Sequence, residues 1–115
     1  MSFHIEARAV GEVVILDLTG KLTAGLGDQI LRETLDELLA EGKRKILLNL
    51  SEVSFLDSAG VGELVAGLRT AKRFGAELKL LSTSDRVHST LFMARLLPVF
   101  EMHRDEAEAL KRFDA

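Results

Sequence analysis

The sequence predicts an α/β domain built on a mixed β-sheet of four to five strands, with about four helices packed against it. Three observations predict this class. Residues 3–18 have the pattern of a β-hairpin, later segments alternate short apolar runs with helical spacings, and 115 residues suit a single core. Since 47% of the residues are hydrophobic and 29% are charged, the chain supplies both a core and a polar exterior. Residues 1–115 are therefore expected to form one domain.

An N-terminal hairpin and a helix are predicted first. Residues 3–10 alternate apolar with polar side chains, and after Gly11 and Glu12 residues 13–18 resume with β-branched residues. The next helix is predicted from the helical spacing of Ile30, Leu31, Leu35, Leu38 and Leu39. Asp28 is its expected N-cap and Gly42 its expected stop.

The remaining chain predicts alternating strands and helices. Residues 45–50 contain a continuous apolar run, which is typical of a central strand that is covered on both faces. In chain order, the later elements are predicted as a connection at 51–56, a helix from Val61 to near Gly75, a strand at 77–81, a short helix capped by Asp85, a short strand at 96–100 and a terminal helix starting at Asp105.

Composition excludes several classes of function. The chain has no cysteine, which excludes disulfides, thiolate metal sites and cysteine nucleophiles. A net charge of −3 without a basic block argues against direct nucleic-acid binding, and the absence of tryptophan and tyrosine leaves few stacking platforms. No apolar run reaches the length of a membrane span, and residues 1–6 do not resemble a signal peptide. We therefore expect a cytoplasmic protein with protein partners.

The segment at 54–64, between the predicted central strand and the next helix, carries the most functional information. Asp57 and Ser58 occupy an N-cap region, and Gly60 and Gly62 follow. In open α/β sheets, ligands and partners commonly meet the crevice at the carboxyl ends of the strands. From position alone an ordinary N-cap role explains Ser58, but a hydroxyl at an exposed helix start can also accept a phosphate. The two roles are compatible.

These residues resemble the STAS domain family, which is named for sulfate transporters and anti-sigma factor antagonists. The resemblance covers essentially the whole chain: the opening hairpin, LTGKL at 18–22, ILLNL at 46–50 and FLDSAGVG at 55–62. The Asp-Ser motif, followed by a small residue, Gly, an aliphatic residue and Gly, is moderately specific alone. Its position between a strand and a helix makes the resemblance strong, and it implies a STAS-like fold.

The resemblance implies a switch. In soluble members, the serine at the position of Ser58 is phosphorylated by a partner anti-sigma factor that is also a serine kinase. The unphosphorylated antagonist binds this kinase and frees the sigma factor; the phosphorylated form releases the kinase, and a protein phosphatase resets the switch. Two positions depart from the family pattern: Ala59, where Ser or Thr is frequent, and Thr23, where an acidic residue is common.

The predicted partner surface lies around residues 21–27 and 58–64. Leu22, Leu26 and Val61 are its possible apolar anchors, and core packing is the equally weighted alternative for these side chains. Glu63 is either a charge at the rim or an acid in the first helical turn. The predicted binding residues are Lys21, Leu22, Thr23, Asp57, Ser58, Ala59, Gly60, Val61 and Gly62.

Enzymatic alternatives lack their signatures, and we expect no catalytic residue, cofactor or metal. Both Gly-x-Gly pairs, at 25–27 and 60–62, lack the third glycine of a dinucleotide-binding loop, because Ile30 and Val65 stand there. The nucleophile pattern Gly-x-Ser-x-Gly is absent around Ser58, and His4, His88 and His103 have no metal-site spacing. The alternative function is a constitutive STAS scaffold, or an accessory subunit of a signalling or transport complex, without a phosphorylation switch.

Overall fold

A computed structural model describes residues 2–113, which form a five-stranded sheet with four helices. The strand order is β1-β2-β3-β4-β5; β1 runs antiparallel to β2, and the other neighbours are parallel. The elements are β1 Phe3–Val10, β2 Val13–Leu22, α1 Gly27–Ala40, β3 Lys45–Leu56, α2 Ser58–Arg73, β4 Glu77–Leu81, α3 Asp85–Met93, β5 Met102–His103 and α4 Glu106–Lys111. The predicted class and element order are confirmed.

Three strand predictions are wrong in extent or place. The second strand, predicted at 13–18, continues to Leu22. The predicted connection at 51–56 belongs to β3, because residues 52–56 continue to pair with 19–22 of β2 after β4 has ended. The last strand is Met102–His103 and not 96–100. Residues 96–100 instead form a turn, in which the Phe100 amide donates to the Leu96 carbonyl and the Phe100 side chain enters the core.

Two predicted helix caps are also wrong by one or two residues. Asp28 lies inside α1 and accepts a hydrogen bond from the Gly25 amide at 3.0 Å. Ser84, and not Asp85, caps α3 by accepting from the Val87 amide. The terminal helix was predicted to start at Asp105; Asp105 is its N-cap, and α4 begins at the next residue. Gly42, at φ +89°, follows the end of α1 as predicted, since this left-handed conformation suits glycine.

Apolar residues cover both faces of the sheet. Helices α1, α2 and α3 pack against one face in the larger core. Ala109 of α4 and Phe113, just after this helix, pack against the other face. The central strand β3 alternates between the two cores, since Leu48 faces the first and Leu47 the second. Burial on both faces confirms the prediction for this strand. It also fixes the carboxyl end of β3, where the candidate site begins.

Candidate functional site

The candidate site forms where the parallel strands β2 and β3 end side by side. Their register pairs Lys21 with Phe55 and Leu22 with Leu56. The chain then leaves β2 through residues 23–26 toward α1, and leaves β3 through Asp57 alone toward α2. Because both strands end at the same edge, the two helix starts lie next to each other.

Asp57 joins these two connections. Its backbone is extended, with φ −96° and ψ −176°, and its side chain caps α2. Oδ1 accepts from the Gly60 amide at 2.8 Å, while Oδ2 accepts from the Ala24 amide at 3.1 Å. The hydrogen bond from Gly60, followed by that from Ala24, outweighs desolvation and holds the pKa of the Asp57 carboxyl below its usual value. One ionised side chain therefore fixes both loops.

Ser58 is the first residue of α2, and its side chain is exposed. The prediction of an N-cap role for Ser58 is wrong, because the neighbouring Asp57 fills it. Within residues 2–113, no hydrogen bond engages the Ser58 hydroxyl. The aligned peptide dipoles of α2 give this end of the helix a partial positive charge, part of which the Asp57 carboxylate already offsets. The Ser58 hydroxyl is therefore free and lies at the N-terminal end of α2, where a helix can accommodate an anion.

The two glycines after Ser58 have different roles. Gly60 is buried, and a Cβ there would collide with the carbonyl oxygen of Leu22 and lie 2.9 Å from the Leu56 Cδ1 atom. Gly62 lies on the outer side of the helix, and a Cβ added there would meet no atom within 4 Å. Only Gly60 is therefore required for the close packing of α2 against the end of β2.

The predicted apolar anchors separate by exposure. Leu22 is fully buried, which corrects its assignment as a partner-facing side chain; its carbonyl accepts from the Asp57 amide at 3.4 Å and so supports the loop. Leu26 is 53% exposed, and Val61 is half-buried. Phe55, which sequence reasoning missed, is 49% exposed and pairs with Lys21 across the sheet. The free apolar side chains at this edge are thus Leu26 and Phe55.

The other predicted binding residues surround Ser58. Lys21 is exposed at the end of β2, and Thr23 is half-buried in the connection that follows. Ala59 is half-buried in the first turn of α2. The structure therefore brings the predicted residues together at one edge, with the exception of the side chain of Leu22.

Both predictions for Glu63 are wrong. It is 7% exposed and lies between α1 and α2, where Oε1 accepts from Arg32 Nη2 at 3.0 Å. A sequence signal existed, because Glu63 falls at helical spacing from the buried Gly60 and Gly67. Its charge therefore joins two helices and does not face a partner.

The three histidines considered for catalysis or metal binding make other contacts. His88 Nε2 lies 3.1 Å from the Ser82 carbonyl, and His103 Nε2 lies 2.8 Å from Glu101 Oε2. No hydrogen bond joins His4, His88 or His103 to Ser58 in the described part of the chain. Residues 2–113 also hold no cluster of three or more potential metal ligands and no helix suited to crossing a membrane.

Comparison with known proteins identifies the family. The STAS domain family matches residues 4–109. An anti-sigma F factor antagonist of Paenibacillus polymyxa is 26% identical over 99% of this chain and 97% of its own. An anti-sigma-B factor antagonist of Staphylococcus aureus is 39% identical over 76% of this chain and 80% of its own. The structure of the Bacillus cell fate determinant SpoIIAA in the phosphorylated form superimposes with a TM-score of 0.71 at 26% identity, covering 96% and 98% of the two chains. The chain belongs to the STAS domain family.

Proposed function

We propose that this protein is an anti-sigma factor antagonist whose binding to an anti-sigma factor kinase is switched off by phosphorylation of Ser58. The observation that carries the proposal is the exposed hydroxyl at the first residue of α2, left free because Asp57 performs the capping. The names of the two relatives and the phosphorylated form of SpoIIAA support the same function. In this scheme a protein phosphatase removes the phosphate from Ser58. ATP and metal ions are bound by the kinase and the phosphatase, and not by this chain.

Electrostatics supplies the mechanism of the switch. A phosphate on Ser58 adds a charge of about −1.5 to −2 beside the ionised Asp57 carboxylate. Both Asp57 oxygens already accept backbone hydrogen bonds, so the carboxylate remains in place as a like charge. In the free chain, water and the α2 N-terminus offset this repulsion. In the complex the same charges lose their water, so phosphorylation weakens binding more than it weakens folding.

The proposed partner surface combines apolar contacts with this switch. Leu26, just before α1, and Phe55, near the end of β3, supply exposed apolar side chains, and Lys21 supplies a positive charge. Thr23, Ala59, Val61 and Gly62 lie on the same edge and complete the surface. The apolar side chains supply contacts that favour binding of the partner, and the charge of a nearby phosphate opposes it. This combination suits a complex that must form and dissociate.

A binding titration tests this proposal. The chain with phosphoserine at position 58 and the unmodified chain are titrated by calorimetry against the anti-sigma factor kinase of the same cell. We expect the phosphate to weaken binding by about 10- to 100-fold, on the scale of charge repulsion in a desolvated interface. The chain with phosphoserine at position 89 is the matched control, because Ser89 is an exposed serine on α3, and it should leave affinity unchanged.

Two outcomes would contradict the switch. Equal affinity of the phosphorylated and unmodified chains would instead favour a constitutive scaffold. An equal loss of affinity with phosphoserine at position 89 would show a general charge effect without a specific role for Ser58.

A further inference from the structure

A second exposed apolar surface lies at the end of α3, and its lining includes none of the residues of the surface around Ser58. We call it the α3 groove; it is an open depression of about 610 Å³ lined by Phe92, Met93, Arg95, Leu97 and Pro98. Phe92 is 67% exposed and Met93 is 78% exposed, the highest values among the large apolar side chains described as exposed. Adjacent exposed apolar side chains that wall a depression are typical of an interaction surface.

The rim of the α3 groove is basic, although the chain as a whole has a net charge of −3. Arg95 lines the groove, and an adjoining depression that shares Phe92 and Met93 is lined by His88 and Arg104. No described aspartate or glutamate lines either depression, although Arg104 pairs with Asp85 at 3.1 Å. A second copy placed here across a two-fold axis would bring like charges together, so the charge pattern favours an acidic partner.

The backbone of Arg95 provides an independent observation. Helix α3 ends in a Schellman turn, in which the Leu96 amide donates to Leu91 and the Arg95 amide to Phe92, both at 2.9 Å. This turn places Arg95 at φ +61°, and all other described residues with positive φ are glycines. Glycine is favoured at such a position, so an arginine there is strained, and strain of this kind often marks a functional site.

We propose that the α3 groove binds an acidic amphipathic helix of a second protein partner. An apolar side chain of that helix enters between the Phe92–Met93 wall and the Leu97–Pro98 wall, and its flanking carboxylates meet Arg95 and Arg104. The nine residues of α3 span about 13 Å. The first turn of α3 lies beside β3, where Arg86 donates to the Ser54 carbonyl, and the groove lies at the other end.

The probe for this proposal is a fluorescein-labelled, 14-residue helical peptide with leucines along one face and glutamates beside them. A second peptide carries lysines in place of the glutamates. Binding to the full chain is measured by fluorescence anisotropy and mapped by amide chemical shifts. We expect the glutamate peptide to bind and to shift amides at 91–99, and the lysine peptide to bind at least tenfold more weakly.

Variants distinguish binding in the α3 groove from unspecific binding to other exposed apolar side chains. Arg95→Gly relieves the backbone strain and removes the charge, so we expect a folded protein with a Tm no lower than that of the parent and at least fivefold weaker peptide binding. Phe92→Ser should weaken binding similarly. Phe74→Ser, which removes another exposed phenylalanine at the end of α2, should leave binding unchanged.

Several results would overturn the proposal. Absence of glutamate-peptide binding, equal binding of both peptides, or shifts that leave residues 91–99 unaffected would each do so. Binding of vesicles of phosphatidylglycerol without binding of the peptide would assign the surface to a lipid bilayer. A dimer in sedimentation equilibrium that Phe92→Ser abolishes would assign the groove to a second copy. The Ser58 switch is independent of these outcomes.

Discussion

Two helices begin at the same edge of the sheet, and they begin differently. Helix α1 starts after Leu26, which is exposed and makes no side-chain capping bond, whereas α2 starts after Asp57, which caps it. The second oxygen of Asp57 also accepts from Ala24 in the connection to α1. Asp57 thus contributes to both starts, although Asp28 also accepts from the Gly25 amide before α1. The side chains of Leu26 and Ser58 are exposed and take no part in capping. Substitutions at this edge should therefore lower the free energy of unfolding to very different extents.

Gly60→Ala should have the largest effect. The added Cβ would meet the backbone carbonyl of Leu22, so α2 must move away from β2. We expect a loss of about 3 kcal/mol in the free energy of unfolding, measured by urea denaturation, as for a severely overpacked site. Gly62→Ala is the control: it meets open space and should stabilise α2 by roughly 0.5–1 kcal/mol. Equal losses in both variants would contradict the close packing assigned to Gly60.

Asp57→Ala should lower the free energy of unfolding by about 1–2 kcal/mol, because it removes the cap of α2 together with the hydrogen bond from the Ala24 amide. Asp57→Asn is the informative comparison, since asparagine caps a helix well but has one oxygen where aspartate has two. Hydrogen exchange at the Ala24 amide should therefore accelerate in both variants, while exchange at Gly60 should accelerate only in Asp57→Ala. Unchanged exchange at Ala24 would show that Asp57 does not tether the connection to α1.

The stabilising effect of the Asp57 charge should depend on pH. The pKa of this carboxyl is lower in the folded chain than its unfolded value of about 3.9, so its contribution is complete above that value. The contribution is lost as the pH falls from about 4 through the folded pKa. The difference in unfolding free energy between the parent and Asp57→Asn should therefore shrink between pH 5 and the acid limit, as measured by urea denaturation. A difference that stays constant over this range would contradict a specific role of the charge.

Leu26→Ser should have the smallest effect on folding, within about 0.5 kcal/mol, because its side chain is half exposed. It should nevertheless weaken binding of the anti-sigma factor kinase by about fivefold or more, as expected for an apolar contact at an interface. Val10→Ser is the control, since Val10 is also exposed but lies at the far end of the hairpin. Equal losses of affinity in the two variants would remove Leu26 from the partner surface.

Sequence patterns predicted the element order because apolar periodicity reflects which faces are buried. They did not predict that residues 51–56 extend β3, since pairing with 19–22 depends on a neighbouring strand and not on local spacing. They also assigned the capping role to Ser58, whereas Asp57 beside it is the N-cap. Aspartate and serine have similar capping preferences, so the sequence alone does not show which of two adjacent residues caps the helix. The exposure of Phe55 and the burial of Leu22 depend on how β2, β3 and α2 pack together, which local sequence patterns do not encode.

The most direct test of the proposed switch is the intact mass of the protein isolated from its own cells, before and after phosphatase treatment. Fragmentation locates any modification. We predict an added mass of about 80 Da that phosphatase removes and that fragmentation assigns to Ser58. An unmodified mass under all growth conditions, or a phosphate on another residue, would contradict the switch at Ser58.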